Sequence, residues 1–280
     1  MRVTGIIIFL LMGSLLIYGS LGFPVWGDPG SPAATHLSPY YIEHTLADTG
    51  VPNIVTSVLA DYRGYDTMFE TIVIFTAGIV CIFLLRKFTA EPPESRGRRR
   101  MYRHIPTGII LRIEKGGKVP EESGSFEEID SVWIPHDLVI RTTCRMIIPF
   151  IQVFALYVIA HGHYSPGGGF QGGVILGASV ILFAIGFNLR LAIRQISEKT
   201  VAVLCATGVF IYAGTGALCM ALNAGYLDYS ALSGLLGTTP VTARSQGILV
   251  VEIGVGLAVM ATMIVLYYNL ASAGKHDEGL

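Results

Sequence analysis

The sequence predicts an all-α integral membrane protein of about six transmembrane helices, arranged as two plus four, with both termini cytoplasmic. Three observations lead there. Apolar residues make up 52% of the 280-residue chain and charged residues only 14%, whereas about a quarter of a soluble domain is charged. The mean hydropathy is +0.58. The charges are segregated between six apolar runs, each near the roughly 20 residues a helix needs to cross a bilayer.

The runs are 5–21, 67–85, 138–160, 172–189, 201–222 and 247–270. Period-2 alternation with evenly spaced turns is absent, which argues against a β-barrel. Lipid offers backbone groups no water, so helices remain. The first run, behind Arg2 and ending in small residues near 19–22, also has the shape of a signal peptide. It is read here as a span. Orientation follows from the basic residues: only Arg63 and Arg244 fall in segments assigned to the outside. The rest lie at Arg2, along 86–118, at Arg141 and Arg145, along 190–199 and at Lys275, which is the positive-inside pattern. A net charge of −1 gives no reason to expect a nucleic-acid partner.

Two blocks, 1–86 and 136–280, flank a charged cytoplasmic linker over 87–135. Its first half is basic (Arg96, Arg98, Arg99, Arg100, Arg103) and its second acidic (Glu121, Glu122, Glu127, Glu128, Asp130). The basic half suits either anionic headgroups or a cytoplasmic partner. Pro92, Pro93, Gly116, Gly117 and Gly124 argue against much regular structure in the linker. In the outside segment 23–66, Pro24, Pro29, Pro32 and Pro39 suit an extended path, and 53–59 a short helix on or entering the bilayer surface. The charged turn from Asp61 to Thr67 leads into the second span, with Asp66 or Thr67 as its N-cap.

Two acidic residues lie inside spans, where a charge is costly and points to function. Glu70 is about one turn inside the second span, near Asp61, Arg63 and Asp66; it is open to pairing with Arg63 or to ion handling. Glu252, in the last span, has no basic residue one turn away, so its partner must come from elsewhere; proton exchange, cation ligation and a structural hydrogen bond all suit it. His161 and His163 flank Gly162 at the outer end of the third span, where a proton-accessible imidazole and a plain loop residue are both reasonable. Gly167 to Gly169 permit a tight turn, and Gly169, Gly173 and Gly177 form a small face for helix packing or an unwound ion-binding stretch.

Cys81, Cys144, Cys205 and Cys219 lie in or beside spans without a C-x-x-C pair, so no metal or cluster ligation is expected. Paired haem histidines and a dinucleotide fingerprint are also missing from the sequence, so the chain is expected to hold no cofactor and not to be an enzyme by itself.

The stretch from Val139-Ile140-Arg141-Thr142 to Gly162-His163-Tyr164-Ser165-Pro166-Gly167-Gly168-Gly169-Phe170, with Glu252-Ile253-Gly254-Val255 in the last span, resembles the B subunit of Mrp-type sodium/proton antiporters (the MnhB family) over about 134–273. Asn53-Ile54-Val55 and Asp61-Tyr62-Arg63-Gly64-Tyr65-Asp66-Thr67-Met68-Phe69-Glu70 resemble both the E-type subunit of membrane-bound hydrogenases and the carboxy-terminal part of the A subunit of the antiporters. Tyr65, Met68 and Phe69 depart from the usual R-G-F-D-T-L-G-E of that segment but keep its charges. The resemblance implies a multi-pass subunit in the inner membrane of a prokaryotic cell, working beside larger antiporter-like subunits and contributing to sodium and proton translocation. It makes Glu70 and Glu252 cation or proton sites, with Asp66 and His163 near the outer mouth and Asp61, Arg63 and His161 in support. A purely structural subunit that seals such a complex is the alternative. Whether the host is a free antiporter or a redox-driven complex depends on its partners.

Overall fold

The computed structural model describes residues 2–88, 100–107, 110–113, 126–129 and 138–272. Helix α1 (Arg2–Ser20) is followed by a π-helical turn (Ala33–Leu37) that runs into α2 (Ser38–Thr49). Helix α3 (Ile54–Ser57) continues through a second π turn (Val58–Tyr62) to α4 (Gly64–Phe88). Three strands follow: β1 (Arg100–His104), β2 (Ile110–Ile113) and β3 (Phe126–Ile129). The remainder is α5 (Leu138–Ala160), α6 (Gly169–Gly186), α7 (Leu189–Gln195), α8 (Glu198–Ala221), a 3₁₀ turn (Tyr229–Leu232), α9 (Ser233–Leu236) and α10 (Pro240–Ala271).

Among the described residues, six helices are long and apolar enough to cross a membrane: α1, α4, α5, α6, α8 and α10. Helix α10 is the hub. Its span is 67% buried, against 0% for α1, and α4, α6 and α8 all pack on it while α5 packs on α6. Small residues at Gly247, Gly254, Gly256, Ala258 and Ala261 line this helix. They let neighbouring backbones approach closely, which supplies the dispersion contact that lipid cannot outcompete. One apolar cluster joins Val51, Met68, Tyr212, Tyr229, Val251 and Val255 at the α4 entry. A second joins Val180, Ala184, Val201, Cys205, Ile264 and Tyr268 at the other end.

Several boundaries differ from the sequence reading. Part of the proline-marked segment is helical rather than extended: α2 takes Pro39 in its first turn, where a missing N–H costs nothing. It stops at Gly50, which has φ +68. Helix α4 starts at Gly64, so neither Asp66 nor Thr67 caps it. Thr67 instead donates its hydroxyl to the Leu59 carbonyl at 2.7 Å. Helix α10 begins at Pro240, well before the expected 247, with the Thr239 hydroxyl accepting from the Thr242 N–H at 3.3 Å. Glu252 therefore lies about three turns inside that helix.

The linker also carries more order than its composition suggests. An antiparallel sheet of order β2-β1-β3 pairs Tyr102 with Leu111 on one side and with Glu128 on the other. Pro92, Pro93, Gly116, Gly117 and Gly124 lie outside the described residues.

Candidate functional site

Glu252 is the centre of the site. It is buried, with 8% of its surface exposed, and its Oε2 has no hydrogen-bond partner. The backbone amide of Gly169, at the start of α6, lies beside the carboxylate. The loop between α5 and α6 wraps the same group. A β-carbon on Gly168 would lie 2.7 Å from Glu252 Oε1, and one on Gly162 would lie 3.1 Å from Oε2. Gly168 also has φ +124, a conformation that side chains disfavour. The Gly-rich sequence therefore lets backbone, rather than side chains, surround a carboxylate.

The three glycines at every fourth position of α6 all face α10. A β-carbon placed on Gly169 would overlap the Glu252 carbonyl oxygen, and one placed on Gly173 would lie 2.6 Å from the Gly256 carbonyl oxygen. At Gly177 it would lie 3.0 Å from Met263 Cβ.

The loop is held from the other side by the short helix preceding α4. Asn53 Nδ2 donates to the carbonyls of Gly162 at 2.7 Å and Ser165 at 2.8 Å. The Asn53 N–H donates to the His163 carbonyl at 2.9 Å, and the Thr56 hydroxyl donates to the Gly162 carbonyl at 2.8 Å. Asn53 meanwhile caps α3, its Oδ1 accepting from the Val55 N–H at 3.1 Å. His163 is half-buried, and its Nε2 has no partner. Burial pushes its pKa below the ordinary 6.5, because a charged imidazolium loses its hydration there. His161 instead stacks on Tyr157, with ring centroids 4.9 Å apart.

Glu70 is exposed on α4, and it lines a cleft of about 310 Å³ together with Glu252, Thr56, Thr67, Gln171 and Tyr212. The two carboxylates are thus brought to one cavity. Asp66 pairs with Arg63, whose Nε donates to Asp66 Oδ2 at 2.6 Å, and both side chains are largely exposed. Asp61 points elsewhere and pairs with Arg244 of α10. Burial raises the Asp61 pKa above its usual value, with the Arg244 contact opposing that rise.

Sequence reasoning missed the residues that join the two blocks. Besides Asn53, Thr56 and Arg244, the Tyr212 hydroxyl donates to the Gly64 carbonyl at 2.8 Å and the Tyr229 hydroxyl to the Ala60 carbonyl at 3.0 Å. Only Asn53 carried a local signal, as an Asn directly before a short apolar run. Among the described residues, no three His, Cys, Asp or Glu side chains gather as a metal set.

Residues 139–265 match the family model of a domain related to the MnhB subunit of Na+/H+ antiporters, and residues 7–100 match that of the E-type subunit of MBH. Each match covers less than half of the chain, and the two lie one after the other along it. The B-type subunit of the Na(+)/H(+) antiporter of Alkalihalophilus pseudofirmus is 29% identical over 135 residues, covering 46% of this chain and 92% of that protein. The probable K(+)/H(+) antiporter A/B subunit of Rhizobium meliloti is 23% identical over 186 residues, covering 63% of this chain and 17% of that protein. A chain in the structure of the Mrp complex from Dietzia sp. DQ12-45-1b superposes with a TM-score of 0.57 at 24% identity, covering 97% of this chain. That likeness shows the fold, and the present chain spans 26% of that longer one.

The cleft lies where the two matched segments meet. The MBH-type segment supplies Thr56, Thr67 and Glu70, and the MnhB-type domain supplies Gly169, Gln171, Tyr212 and Glu252.

Proposed function

We propose that this chain is a multi-pass subunit of a prokaryotic membrane complex, either a multisubunit cation/proton antiporter or an antiporter-linked respiratory complex, and that its Glu70–Glu252 cleft contributes to sodium or proton passage. The observation that carries this reading is the shared cleft: a buried carboxylate with one oxygen unpartnered, facing a cavity that a second carboxylate also lines. An intramembrane acid is expensive to keep unless it handles an ion. Both family matches support the same reading.

In this proposal Glu252 takes up a proton or faces a cation, with backbone of the Gly162–Gly169 turn around it. Glu70 holds the exposed side of the cleft, and His163 and Asp66 lie near its mouth. Asp61, Arg63 and His161 act on the shape of the entrance, through Arg244, Asp66 and Tyr157 respectively. With both termini cytoplasmic, the cleft opens to the outside. The larger antiporter-like subunits of the host complex carry the remaining path, and any redox step belongs to other chains.

The test is Glu70→Gln and Glu252→Gln in the assembled complex, with sodium-dependent pH gradients followed in membrane vesicles. Loss of the gradient in Glu252→Gln with normal assembly is expected. Unchanged gradients in both variants would instead leave the chain a structural subunit, with the carboxylates packed for assembly alone.

A further inference from the structure

A groove of about 580 Å³ opens at the opposite end of the bundle, between α5, the end of α6 and the short α7. Its wall is apolar, formed by residues such as Ile148, Val180 and Phe183. Its rim carries Arg145 from α5 and Arg194 from α7, with Gln152 and Gln195 beside them. Both arginines are exposed, and among the described residues neither forms an ion pair. A third guanidinium, that of Arg141, lies 5.8 Å from the centroid of the lining Phe187 ring. None of the lining residues is acidic.

We infer that this groove is a binding site for an anionic phospholipid, whose phosphate sits on Arg145 and Arg194 and whose acyl chain lies along Ile148, Val180 and Phe183. Arg145 is about two turns inside α5, an exposed guanidinium on a helix long and apolar enough to cross a membrane. A charge there is costly unless it meets a counter-charge or reaches the interface. Phosphate answers the planar donor fork of arginine better than water does. A free phosphate ion would satisfy the arginines but leave the apolar wall uncovered. A phospholipid covers both. The site is separate from the Glu70–Glu252 cleft, and shares no lining residue with it.

The experiment uses the whole complex in lipid nanodiscs containing photoactivatable phosphatidylglycerol or, in parallel, photoactivatable phosphatidylcholine, with crosslinked peptides mapped by mass spectrometry. Phosphatidylglycerol is expected to label the α5 and α7 peptides preferentially, and excess inorganic phosphate is expected not to compete. Arg145→Gln and Arg194→Gln should each reduce that preference roughly fivefold, while the double lysine variant should retain most of it. If the glutamine variants fail to assemble, the ratio between the two lipids on the unaltered complex decides alone. Equal labelling by both lipids, competition by inorganic phosphate, or crosslinks from another subunit seated in the groove would each overturn the proposal.

Discussion

Arg244 grips both carboxylate oxygens of Asp61, with Nε 2.8 Å from Oδ2 and Nη2 2.9 Å from Oδ1. The two residues belong to different family matches, and the Asp61 side chain is only 8% exposed. The pair therefore ties the turn before α4 to the first turns of α10. The Tyr212 and Tyr229 hydroxyls secure the same turn through backbone carbonyls.

Removing one partner should strand the other charge. Arg244→Gln is expected to destabilise this junction by about 3–5 kcal/mol, the usual cost of orphaning a buried charge. Adding Asp61→Asn should recover part of that loss, because the stranded charge is gone. Thermal unfolding of the purified complex, compared across the two singles and the double, measures the coupling. Strictly additive losses would mean that the pair does not act as a unit.

Asn53→Ala is expected to loosen the 161–168 loop without disturbing the spans. It removes a donor from the carbonyls of Gly162 and Ser165; Gly162 keeps the Thr56 hydroxyl, so the acceptor left unsatisfied is that of Ser165, at a cost of about 1–3 kcal/mol. Hydrogen exchange of the loop amides should quicken, while amides in α8 keep their protection. No change in the loop would place its restraint elsewhere.

Gly169→Ala tests the close approach of α6 to α10. The added methyl would collide with the Glu252 carbonyl oxygen, and overpacking of this kind costs about 1–3 kcal/mol or more. Loss of assembled complex on size-exclusion chromatography is the expected readout. Gly214→Ala is the control: the nearest neighbour of its β-carbon would be Phe210, at 3.8 Å, and it should assemble normally.

His163 is expected to make the loop acid-sensitive. Its folded-state pKa lies below the reference 6.5, so the unfolded loop binds the proton more readily than the folded one. The stabilisation is complete above pH 6.5 and is lost as pH falls from 6.5 through the depressed folded value. Exchange protection of residues 161–168, corrected for intrinsic rates, should therefore fall below pH 6.5 in the parent and stay level in His163→Asn. Identical profiles for the two would remove His163 as the cause.

The sequence by itself determined the spans, because hydrocarbon imposes a length and a composition that each segment must meet alone. It also singled out Glu252, since an acid amid Val250-Val251 and Ile253-Gly254 stands out without any knowledge of neighbours. The helix at Ser38–Thr49 escaped because its proline falls in the first turn, where proline starts a helix as readily as it breaks a chain. The linker sheet escaped because strand pairing such as Tyr102 with Glu128 is made between segments distant in sequence. Only the tertiary structure decided that Glu70 shares a cavity with Glu252, that Asp61 turns to Arg244, and that Asn53 holds the Gly162 turn. The reason is physical. Burial in lipid constrains each helix locally, whereas the partner of a polar group inside the bundle is set by which helices the glycine and alanine faces of α10 allow to come close.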